Sequence, residues 1–334
     1  RRQAEFQQVN LGLFVNKGPL FGGVWYRGIM FTEYQDALIA VVGIESDIMR
    51  FGYSYDITQG AKVTGTHTIA FEESGPRDLT FSADGMKLFV IGNVGDEVNQ
   101  YSLTTAFDIT DGIVFDGSPF SIAAEETSPN GIAFSTDGMK MFIVGETDDE
   151  VNQYSLTTAF DITSGVTFDG TPFSVSSEDT APKCIRFNAN GTKMYILGDA
   201  GDDVNQYSLF NPFNTTSGVT FDGPFSVSTE DGNPYGMAFS ADGSKMFVFG
   251  YSGKDVNQYS LSTPFDVTTG VSNDGSPFVV NGLDAFPYAI NFSNDGKKLF
   301  VIGANQSLII QYNLNEVGFL EVEKNDGSVS GSFQ

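Results

Sequence analysis

The chain has 334 residues, 42 Asp or Glu against 17 Lys or Arg, and a formal charge of −25. So acidic a surface excludes nucleic acid as a partner of the whole chain, because neutralising phosphates takes clustered Lys and Arg. It suits solubility in salty, extracellular surroundings, where self-repulsion is screened. One cysteine, Cys184, rules out an intrachain disulfide, and one histidine, His67, rules out a histidine cluster for zinc. Cys184 is expected to be a small buried residue on an inner strand. The apolar run Ala37–Ile44 is too short for a membrane-spanning helix, so membrane insertion is not expected. The chain begins Arg-Arg-Gln without Met and reads as a processed or trimmed product.

In chain order, residues 1–27 come first as a segment outside any repeat. Phe6–Phe14 alternates enough to be a strand, and this segment is expected to close the last sheet of the molecule by supplying its outer strand. A repeat then takes over. Its plainest mark is Val-Asn-Gln-Tyr-Ser-Leu, whose tyrosines are Tyr101, Tyr154, Tyr207, Tyr259 and, in a looser copy, Tyr312, spaced by 53, 53, 52 and 53 residues. A period of about 50 residues built from short strands points to a β-propeller.

The unit around Tyr154 gives the template. Gly131–Ser135 is the first strand, Asp137-Gly138 a tight turn, and Lys140–Gly145 the second strand. An acidic turn at Asp148, Asp149 and Glu150 leads into the Val-Asn-Gln-Tyr strand. Phe160–Gly170 then reads as a long connection to a fourth strand, Pro172–Val175. Asn152 and Gln153, constant in their cassette, are expected to hydrogen-bond between blades. The turn recurs at Asp84-Gly85, Asn190-Gly191, Asp242-Gly243 and Asp295-Gly296. Upstream, Gly28–Phe31, Ala40–Gly43 and Tyr55–Thr58 match parts of the same template, so residues 28–314 count as six four-stranded blades of an all-β fold. Residues 315–334 read as a C-terminal hairpin or tail around Asn325-Asp-Gly327. If that hairpin and residues 1–27 together made an irregular blade, the ring would have seven.

Phe239-Ser-Ala-Asp-Gly-Ser-Lys-Met-Phe-Val248 and Phe292-Ser-Asn-Asp-Gly-Lys-Lys-Leu-Phe-Val301 resemble the Phe-Ser-Pro-Asp-Gly-Lys core of the YVTN and WD40-like bacterial propeller repeats. That resemblance implies the fold and leaves function open, since such repeats serve surface-layer proteins, lactonases and binding modules alike. The fuller cassette, Val-Asn-Gln-Tyr-Ser-Leu-Thr-Thr-Ala-Phe-Asp-Ile-Thr, also looks like repeats in large tail or fibre proteins of marine bacteriophages and bacteria. It implies a virion or cell-surface protein whose partners are other structural proteins.

Near-identical repeats separate framework from site. The residue after the proline that opens each inner strand varies: Arg77, Asn130, Lys183, Tyr235 and Tyr288, with Arg27 at the matching place upstream. These six are expected to ring one mouth of the central channel and to bind a polar or anionic ligand, a surface polysaccharide above all. The plainer reading makes them solvent-facing channel residues paired with nearby acids. The acidic turns share that face, and Asp148, Asp149, Asp202 and Asp203 are the candidate ligands for calcium, or simply turn residues capping their own backbone. The alternative function is a carbohydrate-active enzyme, sialidase- or lyase-like, with Arg27, Arg77 and Arg186 clamping a carboxylate. His67 is the only histidine available to it, and no nucleophile elbow is present.

Overall fold

The computed structural model describes residues 8–17, 20–29, 37–44, 48–55, 61–275, 277–280, 284, 286–314, 316–323 and 329–333. The chain divides into two units, one of residues 1–54 with 316–334 and one of residues 55–315.

The second unit is a five-bladed β-propeller. Each blade begins with a six-residue inner strand that opens on proline, here β6 (Pro76–Phe81), β11 (Pro129–Phe134), β16 (Pro182–Phe187), β20 (Pro234–Phe239) and β25 (Pro287–Phe292). The proline costs the sheet nothing at the first strand position, where a missing N–H is tolerated. A second strand returns antiparallel: β7 (Lys87–Gly92), β12 (Lys140–Gly145), β17 (Lys193–Gly198), β21 (Lys245–Gly250) and β26 (Lys298–Gly303). The third carries the repeated cassette: β8 (Glu97–Ser102), β13 (Glu150–Leu156), β18 (Asp203–Leu209), β22 (Asp255–Leu261) and β27 (Leu308–Leu314).

Turn chemistry fixes the first hairpin. Asp84 accepts hydrogen bonds from Ser82 Oγ at 2.6 Å and the Met86 N–H at 3.0 Å, and Gly85 takes φ 72°. A Cβ on Gly85 would meet the Phe107 ring at 2.2 Å, so the turn also seats the aromatic of the outer connection.

The outer strand departs from expectation in an instructive way. In the second blade it is two pieces, β14 (Val166–Phe168) and β15 (Phe173–Ser174), both paired with β13. Val166–Phe168 is therefore strand rather than connection. The third blade, whose repeat is one residue shorter, instead has one continuous strand, β19 (Val219–Ser226), with a single register shift. One extra residue between the Phe-Asp-Gly and Pro-Phe segments is what splits the edge.

The ring closes at five. The third strand of the last blade pairs with β5 (Ala61–Thr68) in the register β18 uses with β19: Leu314 faces Ala61, Tyr312 faces Val63, and Leu308 faces Thr68, with the same shift. The closing strand is thus residues 61–68 and not residues 1–27, and the expected sixth or seventh blade is not formed. Tyr55–Thr68 is the outer half of a repeat whose inner half, residues 287–314, lies at the other end of the chain. Of the residues assigned above to a first blade, Gly28, Ile29 and Ala40–Gly43 fall in longer strands of the other unit, and Met30 and Phe31 lie outside the described residues.

Apolar side chains at each blade junction hold the ring. Phe89, Ile91 and Val98 pack on Ile132, Met141 and Tyr154 between the first two blades, and Phe300, Ile302 and Ile309 pack on Leu79, Leu88 and Tyr101 between the last and the first. The cassette glutamine adds a polar stitch. Gln100, Gln153, Gln206 and Gln311 each accept a backbone N–H from the next blade round, at Ile162, Thr215, Val267 and Ile109, over 2.8 to 3.0 Å. The asparagine beside it behaves otherwise: Asn205 and Asn257 donate to the carboxylates of Asp203 and Asp255 on their own strand.

In the first unit, β1 (Gln8–Lys17), β2 (Leu20–Ile29) and β3 (Ala37–Ile44) form an antiparallel sheet. A second sheet has the order β29 (Val329–Phe333), β28 (Glu316–Glu323), β4 (Ile48–Tyr55), and the expected C-terminal hairpin is β28 with β29.

Candidate functional site at the channel mouth

The inner strands present their second residue at the mouth, and five of the six predicted side chains assemble there. They form a nearly continuous chain of contacts. The Arg77 guanidinium lies 4.4 Å from the centre of the Tyr288 ring, Tyr288 is 5.2 Å from Tyr235, and Lys183 Nζ is 5.0 Å from the Tyr235 ring centre. Asn130 donates to the Pro182 carbonyl at 3.1 Å and to Glu146 at 3.0 Å, and Glu146 also accepts from Lys183. Arg27 lies within β2, opposite Asn10 and Ala37, in the other unit.

A second, concentric ring went unread in the sequence. It is the residue after the glycine that ends each second strand: Asn93, Glu146, Asp199, Tyr251 and Ala304. These vary as freely as the first ring, and their signal lay in the same comparison of repeats, one position past a constant glycine. Tyr251 stacks on Tyr288 at 5.7 Å and on Phe286 at 6.2 Å, the latter pair only 12° from parallel. The mouth therefore has an aromatic half from the fourth and fifth blades and a polar half from the first three.

Tyr235 and Tyr251 are held protonated. Burial, then the nearby Asp199 carboxylate and Tyr288, push Tyr235 up to about 12, and burial raises Tyr251 as well. Lys183 is nearly buried and flanked by Glu146 and, at 3.9 Å, Asp199. Arg77 makes no ion pair among the described residues. Asn93, oriented with its amide oxygen toward the guanidinium, accepts from Arg77 Nη2 at 2.6 Å and Nε at 3.2 Å and donates to the Gly75 carbonyl at 3.2 Å.

Below the mouth the channel is stoppered. Arg186, on the third inner strand, reaches across to Asp78 on the first, with Nη1–Oδ2 at 2.8 Å and Nη2–Oδ1 at 2.9 Å. It also donates to the carbonyls of Ile132, Ile185 and Ile290. Asp78 accepts the Ile132 and Leu79 N–H groups as well. Both Nη atoms of Arg186 are taken up in this way, while its buried Nε has no partner among the described residues, so the clamp of Arg27, Arg77 and Arg186 foreseen for an enzyme loses this member to the Asp78 pair. His67 sits in the closing strand, edge-on to the Tyr101 ring at 6.5 Å, and burial lowers its pKa. Cys184 is fully buried, and its thiol is pushed up to about 12 by that burial.

The acidic turns share the mouth's end of the blades, as expected. Asp149 and Asp202 take φ of 53° and 49°, and their carbonyls accept the N–H groups of Val175 and Val227 from the outer strand. Lys254 and Ser307 adopt the same conformation in the fourth and fifth blades, so the turn needs no carboxylate there. Among the described residues no group of three carboxylates, histidines or cysteines gathers to hold a metal ion, around Asp148 and Asp203 or elsewhere. A cavity of about 650 Å³ lies away from the mouth, lined by Lys87, Gln100, Asp116 and Phe160 among others. Its lining belongs largely to the constant framework.

Residues 1–72 match the profile of a family described as Type IX secretion system membrane protein PorP/SprF. No curated protein matches the sequence. Among solved structures, the chain is similar to a functionally unknown protein from Desulfotomaculum acetoxidans (15% identity, 96% of this chain and 81% of that one, TM-score 0.44). It is similar also to the periplasmic gluconolactonase PpgL of Pseudomonas aeruginosa (15%, 97% and 81%, 0.42) and to a chain of a nidogen/laminin complex (12%, 98% and 94%, 0.41).

Proposed function

We propose that this chain is a bacterial cell-envelope recognition protein whose propeller binds a glycan at the channel mouth. One observation carries the reading: across five blades built on one framework, two concentric rings of varying residues at one mouth bring together three tyrosines and two cations, with Phe286 alongside. Aromatic faces beside polar donors suit a hydroxyl-rich ring with apolar C–H faces. The stoppered channel makes the site a blind recess rather than a passage.

The match of residues 1–72 to a membrane-protein family favours a cell envelope over a virion as the setting. The first unit is compatible with membrane strands. Five of its six described strands have eight to ten residues, close to the roughly 9–11 that a tilted β-strand needs to cross a bilayer. In β1 every second residue from Val9 to Val15 is apolar, and the register aligns these with Gly28, Tyr26, Val24 and Gly22 of β2. The last three of those align in turn with Leu38, Ala40 and Val42 of β3. That set carries no charge. The length criterion that argued against membrane insertion speaks only to helices. The propeller is then the connection between β4 and β28, which are neighbours in one sheet.

The test is binding to an array of bacterial surface polysaccharides, beside a variant with Arg77, Lys183 and Tyr235 changed to Ala. Binding by the parent that the variant loses is the expected result. Equal binding by both, or none by either, would overturn the mouth as the site and leave a scaffold that contacts its partners elsewhere.

A further inference from the structure

The mouth's charges are not equivalent. Lys183 is spoken for by Glu146 and Asp199, and its side chain is only 9% exposed. Arg77 is half-buried, and its partners are all neutral: the Asn93 amide takes Nε and one Nη2 hydrogen, and Tyr288 backs the guanidinium plane. The Nη1 hydrogens and the other Nη2 hydrogen have no acceptor among the described residues. Of the two propeller arginines, Arg186 is paired with Asp78, whereas Arg77 has no carboxylate partner among the described residues.

Its surroundings are arranged to match. The acidic turns that circle this face thin out on one side of it: the first blade's own turn keeps Asp96 and Glu97, but Lys254 stands beside Asp255 in the fourth blade's turn, and the fifth, Ala304-Asn-Gln-Ser-Leu308, carries no charge. An anion approaching over the fifth blade therefore meets the least repulsion, and more distant acids are screened beyond about 8 Å at physiological salt. The aromatic faces of Tyr251, Tyr288 and Phe286 lie in this same sector.

Resting on the mouth as the binding site, we infer that its ligand is a saccharide bearing a carboxylate, with the acid group on the Arg77 fork and the sugar ring against the Tyr251–Tyr288–Phe286 cluster. A guanidinium held flat by a ring and oriented by an amide is preorganised for the planar, two-oxygen geometry of a carboxylate. A sulfate ester lacks that planar match. A peptide C-terminus offers the same carboxylate but brings backbone N–H and C=O groups that this predominantly aromatic sector would leave unpaired.

The experiment compares a panel of uronic-acid oligosaccharides with their carboxyl-reduced, neutral counterparts and with short peptides ending in a free carboxylate, on the full chain. Arg77→Gln, Arg77→Lys and Tyr251→Ala variants are first checked for an unchanged melting temperature. At least one acidic oligosaccharide should bind, with its reduced counterpart at least tenfold weaker. Arg77→Gln should lose that same factor for the acidic form only, and Arg77→Lys should recover little of it. Equal binding of the acidic and neutral forms, unaffected by Arg77→Gln but lost in Tyr251→Ala, would overturn the carboxylate inference and leave the mouth as a glycan site. Binding of the peptides alone would overturn the saccharide, and no binding by any probe would overturn both this inference and the reading beneath it.

Discussion

At the residue scale, the framework spends its buried charge on closure. Asp78 and Arg186 have side chains 1% and 12% exposed and couple blades that are not neighbours. Breaking such a pair leaves an uncompensated buried charge, a loss of about 3–5 kcal/mol. Arg186→Met should cost that much in denaturant unfolding, and adding Asp78→Ala should recover more than half, since Gly131, Gly236 and Ala289 already fill the Asp78 position in other blades. A double variant no more stable than the single one would show that the pair acts through packing alone. Asp203 tests the opposite situation. Burial and the Asp179 charge raise it to about 6, above the ordinary carboxylate value. A raised carboxyl pKa means that the folded state favours the protonated form, so ionisation opposes folding as pH rises toward and past 6. Asp203→Asn should raise the melting temperature at pH 7.5 and leave it unchanged at pH 4. The reverse order would contradict the assignment. The fifth blade carries Leu308 at this place, so the fold tolerates the loss of the acid.

At the element scale, most of the blade was legible in the sequence because it repeats. The apolar runs, the Asp-Gly turns and the cassette strand stand where periodicity put them, and the residue following each inner-strand proline does reach the mouth. What could not be read locally was pairing. Phe160–Gly170 reads as a connection, yet Val166–Phe168 within it belongs to the outer strand because β13 offers it an edge. The blade count failed for the same reason: Gly28–Phe31, Ala40–Gly43 and Tyr55–Thr58 resemble parts of one sixth unit, and only the pairing of residues 61–68 with 308–314 shows that the outer strand there completes the fifth. Because β5 joins the two ends of the propeller, its hydrogen bonds should govern global stability. Pro at Thr66, opposite Ile310, adds to β5 the residue β19 carries as Pro224 and should be tolerated. Pro at Lys62, opposite Asn313, should lower the melting temperature by several degrees, and equal tolerance of both would argue against this register.

At the scale of the whole molecule, the propeller spans the connection between two adjacent strands of the first unit, so one chain combines the uncharged set aligned across β1–β3 with an acidic propeller. If the first unit lies in a membrane, the full chain expressed in a Gram-negative host should stay in the membrane fraction after an alkaline carbonate wash, while residues 55–315 alone partition to the soluble fraction. Release of the full chain by the wash would remove the membrane reading and leave the propeller reading intact.

The most direct test of the account is hydrogen–deuterium exchange on the full chain, with and without the acidic polysaccharide that binds it most tightly. Added protection should be centred on the amides around residues 75–77, 93, 233–235, 251 and 286–288, the part of the mouth built by the first, fourth and fifth blades. Protection along the outer strands, or at no part of the propeller, would contradict a recognition site at the mouth.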